Sequence, residues 1–265
     1  MDFPRLNCAL PDPGDPAQAR RMLRSAVPDD GIIGQVRLGV WLCSVVVFRG
    51  DSARCSVAST ICPVTHEHQR WAAQLPGQPL SRALDLLAGA DVTAIPFGLA
   101  AANARLAFDL PLGRSGNAFH TLVEHGRNRR VALVGHFPFV ERLRPVVGHL
   151  DVLELEPRDG DLPADQAEHA LPLADVVAVT GTAVLNDTLA GLLPLLRPAA
   201  FNIMLGPSTP LHPLLLQWGF HVIGGATVSD IPALLESMDG SASTHDLRGH
   251  RLVMFRAEDW AGRSA

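Results

Sequence analysis

The spacing of apolar and polar positions changes character near residue 115. Before that point, residues 36–48 are dense in Val, Trp and Leu, and residues 54–61 alternate loosely. The turn Arg49-Gly-Asp-Ser-Ala53 lies between them, so the pattern predicts a β-hairpin. A short helix is expected over 17–26, between the loop Pro11-Asp-Pro-Gly-Asp-Pro16 and the turn Pro28-Asp-Asp-Gly31. Segment 62–78 is polar and broken by Pro63, Pro76 and Gly77, which predicts an irregular connection. Ser81 reads as the cap of a helix to Ala88, and Pro96 as the opening of an alanine-rich helix through Ala107. Strands followed by helices make this half an α+β unit.

After the linker-like Asp109-Leu-Pro-Leu-Gly-Arg-Ser-Gly116 the rhythm becomes helix alternating with strand. Short apolar runs at 131–134, 152–155, 176–180, 201–205 and 221–223 predict buried strands, with an edge strand at 251–255. Helical segments are expected at 118–126, 138–145, 187–196, 210–217 and 230–237. Such alternation implies right-handed crossovers and a mainly parallel sheet covered by helices. The expected division is a domain over 1–114 and an α/β domain over 115–265.

Composition narrows the partners. Hydrophobic residues make up 47% and charged residues 18% of 265, as in a globular chain. The net charge is −5, and no basic cluster exceeds Arg127-Asn-Arg129-Arg130, which argues against nucleic acid. No apolar run is long enough to span a membrane, and the first residues do not resemble a secretory signal. Cys8, Cys43, Cys55 and Cys62 show no paired framework, so reduced thiols and a cytoplasmic location are expected. A homodimer is compatible with this size, although no segment marks its interface.

In a doubly wound sheet ligands sit at the carboxyl ends of the strands. Those ends carry Gly135-His136, Glu156-Pro157, Thr180-Gly181-Thr182, Gly206-Pro207-Ser208-Thr209 and Gly224-Gly225. His136 stands on the rim, where imidazole suits acid/base work or metal ligation. Glu156 lies about twenty residues past Gly135, where a dinucleotide fold keeps its ribose-binding acid. Each also has a plainer explanation. The glycines serve turns, Thr182 and Thr209 suit helix caps, Asn186 suits a local backbone bond, and any carboxylate after a strand looks like Glu156. Dinucleotide binding itself lacks its signature: in Gly135-His-Phe-Pro-Phe-Val140, Phe137 occupies the place of the second glycine. Walker, nucleophile-elbow and H-E-x-x-H motifs are absent from the sequence. A separate, weaker candidate metal cluster is Cys62, His66 and His68, for which a polar surface loop with a partly buried thiol is the better explanation.

The motifs Val131-Ala-Leu-Val-Gly-His-Phe-Pro-Phe139, Val179-Thr-Gly-Thr-Ala-Val-Leu-Asn-Asp-Thr188 and Leu205-Gly-Pro-Ser-Thr-Pro210 resemble those of the DUF364 family, whose name records a proposal of heavy-metal chelation. Gly39-Val-Trp41 and Gly98-Leu-Ala-Ala-Ala-Asn103-Ala resemble the DUF4213 domain that precedes it in such proteins. The resemblance implies an N-terminal domain similar to the enolase N-terminal fold, a Rossmann-like second domain, and a site in the cleft between them. Residue by residue it implicates Asn103, Gly135, His136, Glu156, Thr180, Gly181, Asn186, Thr188, Gly206, Pro207, Ser208 and Thr209. His136 and Glu156 are the candidate metal ligands and His136 the candidate catalytic residue. The expected ligand is a small molecule, a heavy or transition metal ion, or a metal chelate gripped through its chelator. In the last case the backbone N–H groups of 206–209 are expected to favour anions at a following helix. The alternative is an enzyme acting on a carbonyl, methyl-donor or nucleotide-like substrate with His136 as acid/base.

Overall fold

The computed structural model describes residues 9–111, 113–241 and 243–260, so Cys8 lies outside the described residues. After helix α1 (Gln18–Ala26) come three antiparallel strands, β1 (Ile32–Leu38), β2 (Leu42–Arg49) and β3 (Ser52–Ser59). The expected hairpin is therefore a meander: Gly39-Val-Trp41 makes an additional turn that splits the long apolar run into two strands. Segment 62–78 is corrected as well, because helix α2 (His66–Gln74) occupies it. Its polar composition hid the apolar period, but Thr65 and His68 close a reciprocal capping box at its start. Helices α3 (Leu80–Ala88) and α4 (Ile95–Leu106) follow, the first with Pro79 rather than Ser81 at its cap.

The second sheet has eight strands: β4 (Arg114–Ser115), β5 (Arg130–Val134), β6 (His149–Glu154), β7 (Leu162–Pro163), β8 (Val176–Thr180), β9 (Phe201–Leu205), β10 (Val222–Val228) and β11 (His250–Arg256). Their order is β4-β11-β10-β9-β8-β5-β6-β7, with β7 to β10 parallel across the sheet and β11 and β4 antiparallel at one side. The expected edge strand at 251–255 is thus paired on both flanks, and the linker supplies the true edge. Gly224 and Gly225 lie inside β10, paired with β11, rather than at a strand end. Helices α5 (Ala118–Gly126), α6 (Val140–Leu143), α7 (Ala167–Ala170), α8 (Thr182–Leu185), α9 (Leu189–Leu192), α10 (Leu214–Gln217) and α11 (Ile231–Ser237) fill the crossovers. Several are a single turn, shorter than the sequence pattern predicts.

From β5 the chain steps outward to β6 and β7, then returns to β8 and runs outward the other way through β9 and β10. The reversal between β5 and β8 is the switch point of a doubly wound sheet, where a crevice opens at the carboxyl ends. The two sheets are not loosely tethered. Every residue of α4 is buried, and one hydrophobic core joins Phe97, Leu99 and Ala101 of that helix to Val177, Val179, Leu185 and Leu211. Small alanine side chains suit a helix sandwiched in this way, because they let neighbouring layers approach closely.

Candidate functional site

At the switch point the backbone ends of β5, β6 and β8 meet around a cleft of about 610 Å³. Gly135 follows β5 with φ +109°, a conformation that a side chain would strain, and it turns the chain so that His136 faces the crevice. The carboxylate of Asp161 holds Nδ1 of His136 at 2.9 and 3.1 Å. Asp161 has a fully buried side chain, whereas that of His136 is 15% exposed. An ionised carboxylate only accepts, so with Asp161 ionised Nδ1 carries the proton, and Nε2 is the ring nitrogen left to meet a ligand. Asp161 is itself fixed from a tight loop, accepting from Arg158 N–H at 3.2 Å.

The acidic residue at the end of β6 is Glu154, not Glu156. Glu154 Oε1 accepts from His136 N–H at 2.6 Å and Oε2 from Leu155 N–H at 3.2 Å. Glu156 is exposed beyond the strand and does not line the cleft, because β6 stops two residues earlier. That corrects it both as ribose-binding acid and as metal ligand. Glu154 and Asp161 were invisible as site residues in the sequence. The first needed the exact end of a strand, and the second a loop that folds back onto His136.

On the β8 side, Thr180 and Thr182 pair their hydroxyls at 3.0 Å and both line the cleft. Gly181 sits where a Cβ would lie 2.4 Å from Thr209 N, so only glycine lets the β8 and β9 loops touch. Neither Thr182 nor Thr209 is a side-chain cap: Thr182 lies inside the first turn of α8, and α10 begins at Leu214 with Pro213 before it. Asn186 Oδ1 accepts from Thr188 Oγ1 at 2.8 Å and Thr188 N–H at 3.3 Å, the local role its type suggested, while both residues also line the cleft. Between them Asp187 adopts φ +60° and grips Arg20 of α1 through both oxygens, at 2.6 and 2.8 Å. Arg20 is only 2% exposed and also donates to the carbonyls of Leu87 and Gly89. One guanidinium thus ties α1, the end of α3 and the cleft wall.

Asn103 does not face the cleft. It is buried, donates to Thr209 O at 3.1 Å and accepts from Leu211 N–H at 3.3 Å, so it braces the loop after β9 from α4. Ser208 is buried too and its Oγ accepts from Ser59 N–H at 2.9 Å, joining that loop to β3. Gly206, with φ +116°, and Pro207 line a smaller adjoining cavity. The expected anion site at 206–209 is not formed. The N–H groups of Gly206 and Thr209 are taken by Gly224 O and Gly206 O, and the next helix starts several residues on.

Among the described residues the cleft lining holds four carboxylates, Glu154, Asp165, Glu168 and Asp187, the last neutralised by Arg20, and no Lys or Arg. It disfavours phosphates and favours neutral or cationic ligands. A resident metal ion does not fit it: among the described residues no three His, Cys, Asp or Glu side chains are placed to hold one. The Cys62, His66 and His68 cluster fails in the same way. His68 is buried as the capping residue of α2, its Nδ1 accepting from Thr65 N–H at 3.1 Å, while His66 points from the exposed first turn.

Sheet order and rim together define an α/β protein with a cleft at the switch point of a doubly wound sheet. The chain belongs to the DUF364 family, described as "Putative heavy-metal chelation", which matches residues 117–256. It is similar in structure to a DUF364 protein of unknown function from Desulfitobacterium hafniense, at 25% identity and TM-score 0.77, covering 89% of this chain and 97% of that one. A DUF364 protein of unknown function from Pyrococcus horikoshii shares the fold at 18% identity and TM-score 0.74, covering 91% and 99%. No curated protein matches the chain. No helix among the described residues is long and apolar enough to cross a membrane.

Proposed function

We propose that this protein binds a metal ion as a small cationic complex, with part of the coordination sphere supplied by an organic chelator and one position by His136. The observation that carries the reading is the His136–Asp161 pair, in which a buried carboxylate holds Nδ1 and leaves Nε2 for a ligand. The acidic lining supports it by attracting positive charge, and the want of a third donor among the described residues accounts for a metal that arrives already chelated. The family description agrees in kind.

A direct test is calorimetric titration of the full chain with the 1:1 nickel(II)–ethylenediamine complex, a +2 probe with open coordination positions. Saturable binding to wild type, lost in His136→Ala while the melting temperature is kept, is the expected result. Equal binding by His136→Ala, or none by wild type, overturns the proposal.

A second reading rests on Glu154. It ends the strand next to the one bearing Gly135, where doubly wound enzymes place the acid that holds a ribose. In that reading a cationic methyl donor sits in the cleft, and His136 is the general base that takes the proton from the acceptor atom to which the methyl group passes. A rise in melting temperature with S-adenosylmethionine, absent in Glu154→Gln, favours it over chelate binding.

A further inference from the structure

A smaller cavity of about 210 Å³ shares Thr180 and Thr182 with the His136 cleft. Trp41 and Ser59 from the three-stranded sheet face Gly181, Gly206 and Pro207 from the rim across it. Among the described residues none in its lining carries an ionisable side chain, in contrast to the acidic cleft next door. The rim wall is Gly181, Gly206 and Pro207 with the short side chains of Thr180, Thr182 and Ser208, so nothing long projects from it, and the cavity is also lined by Trp41, a residue 41% exposed. That makes a neutral slot with an aromatic side chain in its lining. For scale, an apolar cavity of roughly 150 Å³ accommodates benzene.

The turn that carries the tryptophan is fixed through its backbone. Thr60 N–H donates to Trp41 O at 2.9 Å and Gly39 N–H to Leu42 O at 2.8 Å, so the turn is pinned on both sides. The same lip stores strain. Ile61, a β-branched residue, adopts φ +55°, and its N–H donates to Ser59 Oγ at 3.2 Å. Ser59 in turn donates its N–H to Ser208 Oγ. Backbone strain of this kind persists where the surroundings over-determine it, commonly beside a ligand site.

We infer that the slot takes a flat, uncharged aromatic or heteroaromatic ring, stacked on Trp41, belonging to the same ligand whose cationic end reaches His136. The inference rests on the proposed cleft function and names the class of chelator: one whose donor atoms sit on or beside an aromatic ring. Hydroxyls of Thr180, Thr182 and Ser59 rim the slot and suit ring nitrogens or oxygens.

The test compares two complexes of equal charge on the full chain, nickel(II)–2,2′-bipyridine and nickel(II)–ethylenediamine, each 1:1. Wild type is expected to bind the bipyridine complex about tenfold more tightly, the range of aromatic stacking. Trp41→Ala should erase that preference and leave ethylenediamine binding unchanged, while Trp41→Phe should keep most of it. Equal affinity of the two complexes for wild type, or a preference that survives Trp41→Ala, overturns the slot alone. Binding of neither complex by wild type overturns the cleft reading and the slot with it.

Discussion

The His136–Asp161 pair divides into a group that meets the ligand and a group that sets it. Asp161→Asn keeps the size of the side chain but exchanges an acceptor-only carboxylate for an amide that can turn either end toward Nδ1. When the NH₂ end faces the ring, Nδ1 becomes the acceptor and the proton moves to Nε2, closing the lone pair offered to the cleft. Asp161→Asn is therefore expected to weaken nickel(II)–ethylenediamine binding by about tenfold or more, the usual cost of losing a carboxylate behind a ligating histidine. Calorimetry of the folded variant checks it. Arg20 offers a different kind of test. Removing it leaves the carbonyls of Leu87 and Gly89 without their donor and Asp187, 30% exposed, without its cation, so Arg20→Ala should cost roughly 2 kcal/mol in urea unfolding, the range of lost hydrogen bonds to a charged group. At this scale the sequence was half legible. Gly135, His136 and Thr180 were readable because a strand–glycine step is a local signal. Glu154, Asp161 and Arg20 act through partners that only the fold brings near, and no local pattern marks them, while Asn103, marked by its motif, braces the loop after β9 rather than facing the cleft.

At the scale of elements, the strands were easier to find than the helices. Runs such as Val176-Val-Ala-Val-Thr180 are buried on both faces and read as strands from composition alone. Helix α2 escaped because His66-Glu-His-Gln-Arg carries no apolar stripe, and its capping partner is a histidine where the usual signal is Glu or Gln. Its stability depends on that cap. His68 Nδ1 must be an acceptor toward Thr65 N–H, and Thr65→Ala is expected to cost about 1 kcal/mol, measurable by chemical denaturation. Gly181 makes the sharper demand. With backbone of the Thr209 loop in the space a Cβ would fill, Gly181→Ala should push the β8 and β9 loops apart. Reduced binding in both the cleft and the slot is the expected readout, since Thr180 and Thr182 flank that glycine and line both.

For the whole molecule the clearest expectation concerns acid. His68, His125, His212, His221 and His250 all have pKa values held below the ordinary 6.5, first by burial, and that of His212 is pushed down to about 4. Three of them use Nδ1 to accept a backbone N–H, from Thr65, Leu214 and Asn202 respectively, a role that protonation ends. A depressed histidine pKa means that the unfolded chain takes up the proton first. Stability is therefore complete above about pH 6.5 and is lost as pH falls toward the folded-state values. For His212 alone the difference approaches roughly 3 kcal/mol by pH 4. The melting temperature should drop steeply between pH 7 and pH 5, and His212→Gln should flatten that drop. A flat profile in wild type would remove this account.

The strand made by the linker has a bearing on how the protein is made. β4 at Arg114–Ser115 pairs with β11 at His250–Arg256, so an early strip of the large sheet waits for a late one, while β1 to β3 close with near neighbours. During synthesis the meander can form as soon as its residues leave the ribosome. The rim of the cleft takes shape with β8 and β9, but the sheet that holds it stays open along one side until the chain has passed residue 256. Nascent chains stalled before β11 should carry a folded first sheet and an unprotected edge beside β10, which makes that interval the point at which a chaperone has most to cover.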